Sequence, residues 1–243
     1  MVIQPKRQLS AGKMSVMVYE TSDDMGKAAA YDCAKTAIEL LHKQDEVNII
    51  FAPAVSQVDF YRHFFDQPGV DWTRMNAFIL IEYLGMPEGY HDFRSNFARE
   101  NIFSKAPFKN TFAPNGCATD FQAECDRYAK LLKEHPIDIA CLGIGENGHV
   151  AANEPWNADF NDIVDVKYVE IESLPEPRYM TTVTMSFITR IRYKQMVVPG
   201  NIKKEAIFKT IYSPISEDCP STVMRNYDSR LYTDMEGAAS LGQ

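Results

Sequence analysis

The feature that most constrains this chain is a recurring alternation of short, largely apolar runs with longer amphipathic ones. Val47–Ala52 reads VNIIFA, Met75–Ile81 reads MNAFILI and Ile137–Leu142 reads IDIACL. Between them, apolar residues recur at helical spacing. Ala30, Cys33, Ala34, Ala37, Ile38 and Leu41 do so after Ser22, and Phe121, Cys125, Tyr128, Leu131 and Leu132 do so within Thr119–His135. A strand without a polar face is buried on both sides, as in a parallel sheet with helices above and below. The pattern predicts an α/β fold of three layers, a mainly parallel sheet with helices on both faces. Further strands are expected at Met14–Tyr19, Lys167–Ile171, Thr181–Met185, Gln195–Val198 and Arg230–Thr233. Further helices are expected from Ser22 to near Gln44, from Ser56 onward, and at Phe93–Phe103, Asn201–Tyr212 and Met235–Leu241. Ser22 should cap the first helix, and Ser56, with Asp59 three residues on, should open the second in capping-box fashion. Residues 1–13 read as an N-terminal arm and 14–243 as a single domain, with Ser173–Pro177 as a mobile loop.

Composition narrows the partners. Twenty-five basic residues against 33 acidic ones leave a net charge of −8. That balance disfavours nucleic acid, whose binding depends on neutralising phosphates. A small anion needs only a local set of donors. No apolar run approaches the roughly 18–20 residues of a membrane span, so no membrane is expected. The five cysteines are odd in number and form no CxxC, which reads as reduced thiols and a cytoplasmic location. No His/Cys/Asp cluster has ligand spacing, so no metal is expected. A homo-oligomer stays open.

In parallel sheets, ligands bind beyond the carboxyl ends of the strands. The loops after Ala52, Ile81, Leu142 and Val198 are therefore the ones to examine. The loop after Leu142 reads GIGENGHVAANEP. Its Gly143, Gly145 and Gly148 fit a dinucleotide fingerprint, but that motif needs a helix to open at the third glycine. Here His149 and the turn Asn153-Glu154-Pro155 follow, so no nucleotide cofactor is expected. A histidine in a glycine-rich turn can move protons near neutral pH. Glu146 and Glu154 flank His149, and either could orient its ring.

This loop resembles the G-x-G-x-[DN]-G-H-[IV]-x-x-N-E-P signature of the glucosamine-6-phosphate deaminase (isomerase) family, a relative of the 6-phosphogluconolactonases. Three further segments agree in order. They are MNAFILIEYLGMPEGYHDFRSNFARENIF, VVPGNIKKEAI and ISEDCPSTVMRNYDSRLYTDMEGAASL. The resemblance runs from about Met14 to Leu241. It implies a modified Rossmann-like fold. It also implies conversion of an amino-sugar 6-phosphate, of glucosamine or galactosamine, to a ketose phosphate and ammonia. Residue by residue, it places His149 at ring opening with Glu154 and Asn147 in support. Lys203, with Lys204 as an alternative, falls at the phosphate, and Ser56 keeps a hydroxyl in the phosphate loop; the loop glycines Gly145 and Gly148 let the backbone approach the substrate. Glu82 and Tyr83 match a Glu-Tyr pair.

Two positions depart from the family pattern. Ile81 stands where the family carries the aspartate that moves the C2 proton to C1. The sequence FAPAVSQVDFY replaces the T-G-[GS]-T-P phosphate loop, so Pro53, Ala54 and Val55 lack its glycines. Glu82 could replace the base only if the strand ends at Ile81 and the backbone turns, because strand neighbours point to opposite faces. The alternatives are a non-catalytic or repurposed sugar-binding protein, and a changed reaction such as ring opening, anomer exchange or lactone hydrolysis. Arg178 is the nearest match to the family's lid arginine. His91 and Arg94 lie near the cleft, Trp72 and Trp156 read as packing anchors, and His42, His63 and His135 fall near helix ends.

Overall fold

The computed structural model describes residues 3–171 and 178–242, so the expected mobile loop at Ser173–Pro177 lies outside the described residues. The strands are β1 (Arg7–Ala11), β2 (Met14–Tyr19), β3 (Val47–Phe51), β4 (Met75–Ile79), β5 (Ile81–Leu84), β6 (Asn110–Phe112), β7 (Ile139–Leu142), β8 (Val166–Glu170), β9 (Tyr179–Val183), β10 (Tyr193–Val197) and β11 (Ser229–Asp234). The helices are α1 (Ser22–Leu41), α2 (Val58–Phe64), α3 (Arg94–Ala98), α4 (Phe121–Glu134), α5 (Met185–Arg190) and α6 (Lys204–Tyr212).

Eight strands form one sheet in the order β1-β2-β11-β10-β7-β3-β4-β6. Every pairing in it is parallel except β1 with β2. Side chains alternate across the sheet as the pleat requires. Ile49 and Phe51 join a core with α1 and α2, while Ile50 joins the opposite core with α4, α5 and α6. The largely apolar runs are therefore shared between two cores, which is the expected three-layer α/β arrangement.

Several local expectations change. Arg7–Ala11 is an edge strand on β2, not a free arm. The α1 cap is Thr21, whose side chain accepts from the Asp24 amide, rather than Ser22. Ser56 lies in a 3₁₀ turn, Val55–Gln57, and makes no cap hydrogen bond. Phe93–Phe103 divides into the short α3 and a π-helical turn, Arg99–Phe103. Met235–Leu241 forms turns rather than a helix.

The change that matters most for function is in MNAFILI. The run breaks at Leu80, whose amide donates to Phe51 in the large sheet while its carbonyl accepts from Val183. The chain thereby passes into a second, antiparallel sheet in the order β5-β9-β8. The hand-over sets Ile81 at the rim of the central sheet and Glu82 opposite Thr181.

Candidate active site

The carboxyl ends of β3, β4, β7 and β10 surround a cleft of about 140 Å³ lined by Ala52, Ser56, Ile81, Gly145, His149 and Lys203, among others. His149 is the central titratable group. Its Nδ1 lies 3.0 Å from Glu154 Oε1 and 2.9 Å from Asn147 Oδ1. Asn147 closes the triangle by donating from Nδ2 to Glu154 Oε2 at 2.7 Å. Nε2 has no hydrogen-bond partner among the described residues, so it is the ring nitrogen open to a ligand.

The loop backbone explains how the ring comes to lie there. A Cβ on Gly145 would sit 2.0 Å from His149 Cε1, so only glycine lets the imidazole lie against the turn. Gly148 adopts φ +93°, and a Cβ there would sit 2.3 Å from Cys219 Sγ. Asn153 is fully buried and donates to the carbonyls of Val150 and Val183, which pins the loop to β9. Ala151, in the same turn, holds φ +57° at the cleft wall. For a non-glycine residue that conformation costs roughly 1–2 kcal/mol.

Electrostatics fit the geometry. Burial would push the Glu154 carboxyl up, but the hydrogen bond and charge of the His149 ring, with the Asn147 amide, outweigh it and hold the group below its ordinary value. Burial lowers the Lys203 ammonium, and the nearby Glu146 carboxylate opposes that shift. Lys203 has no carboxylate within 4.0 Å among the described residues, so its charge is available to a ligand.

Residues 20–233 match the family described as glucosamine-6-phosphate isomerases/6-phosphogluconolactonase. The chain belongs to that family. It is 33% identical over 228 residues to the glucosamine-6-phosphate deaminase of Listeria welshimeri, covering 86% of this chain and 95% of that one. It is 34% identical over 200 residues to the glucosamine-6-phosphate deaminase of Streptococcus suis, covering 78% and 85%. A solved structure of a monomeric glucosamine-6-phosphate deaminase superposes with a TM-score of 0.83 at 24% identity, over 92% of this chain and 98% of that one. The 6-phosphogluconolactonase of Thermotoga maritima superposes at 0.77 with 17% identity, over 91% and 99%. At those identities the superpositions show a common fold.

Within this isomerase/lactonase fold, the residues singled out from the sequence divide into two groups. His149, Glu154 and Asn147 come together, and Ser56, Gly145 and Lys203 line the same cleft. Glu82 does not join them. It is fully buried, and its carboxylate accepts from the amides of Tyr83 at 2.8 Å, Arg94 at 2.8 Å and Ser95 at 2.7 Å. Glu82 thus anchors the start of α3 rather than serving the cleft. Lys204 begins α6 outside the cleft lining, and Gly148 serves the turn rather than the cavity wall. Glu146 neighbours Lys203, so Glu154 alone of the two flanking carboxylates orients the imidazole. Among the described residues, no carboxylate lines the cleft itself.

The remaining candidates are accounted for by packing. The Arg94 guanidinium donates to the Tyr83 hydroxyl and lies over its ring. Arg178 precedes β9 and donates to the Tyr90 hydroxyl at 2.6 Å. Trp72 packs among Phe64, Phe65 and Phe108, whereas Trp156 is exposed.

One residue escaped the sequence reading. Asp234 is buried at the end of β11, and its carboxylate accepts from the Gly200 amide at 3.0 and 3.1 Å and from the Gly237 amide at 2.7 Å. It fixes the loop that carries Lys203. A lone aspartate closing a strand carries no sequence signal that separates this task from an ordinary surface turn.

Proposed function

We propose that the cleft acts on an amino-sugar 6-phosphate, of glucosamine or galactosamine, releasing a ketose phosphate and ammonia. The observation that carries this reading is the contact of His149 Nδ1 with the Glu154 carboxylate. A ring nitrogen held by a carboxylate leaves Nε2 as a proton acceptor. Nε2 would take the proton of the C1 hydroxyl and deliver it to the ring oxygen, which opens the sugar. Lys203 and the Ser56 hydroxyl would receive the phosphate. The names of the curated relatives favour this substrate class. Water then replaces the amine at C2 once the C2 proton has moved to C1, which balances the products as ketose phosphate and ammonia.

That proton transfer needs an acceptor other than residues 81 and 82. The titratable group of the cleft lining that could supply it is His149; Glu146, beside Lys203, lies outside that lining. Ammonia and ketose release from glucosamine 6-phosphate and galactosamine 6-phosphate, with His149→Ala as control, tests the reading. No release from folded protein at millimolar substrate overturns it.

A second reading rests on Ile81. An apolar side chain at the rim of the cleft suits a reaction without C2 proton transfer, such as hydrolysis of a sugar lactone. There, Nε2 would take a proton from the attacking water. Turnover of 6-phosphogluconolactone without ammonia release from the amino sugars would favour it.

A further inference from the structure

A second cavity lies at the opposite end of the strands from the cleft. It measures about 330 Å³, against about 140 Å³ for the cleft. Its walls are the amino ends of β2, β7, β10 and β11 with one face of α1, and Lys13, Arg192, Lys194 and Arg230 converge on it. Asp228 is the only acidic residue in that lining among the described residues. In a chain of net charge −8, four cations against one carboxylate reverse the overall balance. We propose that this cavity binds a small phosphorylated anion.

The cations differ in how far they are committed. The Lys194 ammonium is buried, donates to the carbonyls of Thr189 and Ile191, and lies 5.5 Å from the Tyr227 ring centroid. It supplies a fixed positive field. Arg230 lies 3.8 Å from Asp32 and interacts with the Tyr232 hydroxyl. Lys13 and Arg192 have no carboxylate within 4.0 Å among the described residues. Arg192 rests against the Tyr193 ring at 5.1 Å, which orients its guanidinium. A planar guanidinium presents paired donors that match phosphate oxygens. The volume falls in the range of small-molecule sites. Nothing in the amino-sugar chemistry of the cleft uses these residues.

The test is calorimetric titration of inorganic pyrophosphate into the full chain at low ionic strength. Lys203→Gln serves as the background, so that the cleft does not contribute. This protein should still bind pyrophosphate at one site. Adding Lys13→Gln and Arg192→Gln should weaken that binding by about ten-fold or more, with the melting temperature unchanged, because both side chains are exposed. If the double change impairs folding, Arg192→Glu alone is the comparison and should abolish binding. Absence of binding in the Lys203→Gln background, or affinity indifferent to Lys13 and Arg192, overturns the proposal.

Discussion

His149 Nδ1 and Glu154 Oε1 stand 3.0 Å apart, and Asn147 touches both partners. The imidazole is therefore held on one side and open on the other. Replacing the carboxylate by its amide keeps the shape but removes the negative charge that faces Nδ1. Glu154→Gln should lower turnover by roughly 10²–10³, within the range for loss of an acid–base element. Its effect on stability has a definite sign. The Glu154 pKa is held below its ordinary 4.5 in the folded protein. The stabilisation is therefore present above that value and disappears as pH falls through the depressed one. Melting curves of wild type and Glu154→Gln should converge in acid. Parallel curves down to the lowest pH would show that the pair does not form.

Gly145 sets the ring by its lack of a side chain. A Cβ there would stand 2.0–2.3 Å from three imidazole atoms. Gly145→Ala must push the ring away from Glu154, and misplacement by about 1 Å can cost on the order of 10² in rate. The effect should fall on kcat, with the fold intact by circular dichroism. Unchanged turnover would mean that the ring position is unimportant.

Much of this arrangement is legible in the amino-acid order. VNIIFA and IDIACL appear as buried strands because their neighbours alternate between two apolar cores. The histidine loop is legible because its glycines, His149 and Glu154 lie within one continuous turn. Other elements are not, for physical reasons. MNAFILI is unbroken by any polar residue after Asn76, so no periodicity marks Leu80 as the residue that bonds one sheet through its amide and another through its carbonyl. That hidden break decides where Ile81 and Glu82 lie. RQLSA is too short and too half-exposed to separate an edge strand from an arm. EGAASL has helical composition, but Asp234 engages the Gly237 amide and the segment turns instead.

Glu82 provides a test that separates structure from chemistry. Its carboxylate joins three amides at the start of α3. Glu82→Gln would place a second donor against the Ser95 amide and leave that N–H unsatisfied, at a cost of about 1–3 kcal/mol. Burial outweighs the amides and raises the Glu82 pKa above 4.5. For an acid, this means stability that is greatest below the unfolded value and declines as pH rises through the folded one. The Gln variant should lose that decline while keeping the wild-type pH profile of turnover. A shifted activity profile would instead place Glu82 in the reaction.

Asp234 should act on the phosphate rather than on the ring. With Asp234→Asn, the Gly200 amide keeps at most one of its two acceptor oxygens, and the loop bearing Lys203 loosens. KM for a phosphorylated sugar should rise by roughly ten-fold, about 1.4 kcal/mol, with kcat nearly constant. A fall in kcat at constant KM would contradict a positioning role for this carboxylate.

Ile81 separates the two readings of the cleft most directly. Its side chain is partly exposed at the rim, so a shorter polar residue can be accommodated there without opening the core. Ile81→Asp sets a carboxylate within the cleft that also holds His149 and Lys203. A general base is worth on the order of 10²–10⁴ in rate. If the cleft binds an amino-sugar phosphate and opens its ring, the added base should raise ammonia release by about 10² or more, while His149→Ala in the same background abolishes it. If the site hydrolyses a lactone, the new carboxylate has no proton at C2 to remove. Ammonia release should then stay at its starting level while lactone turnover changes little. The ratio of the two activities in Ile81→Asp against wild type, measured on both substrates, distinguishes the cases even if the variant is somewhat less stable.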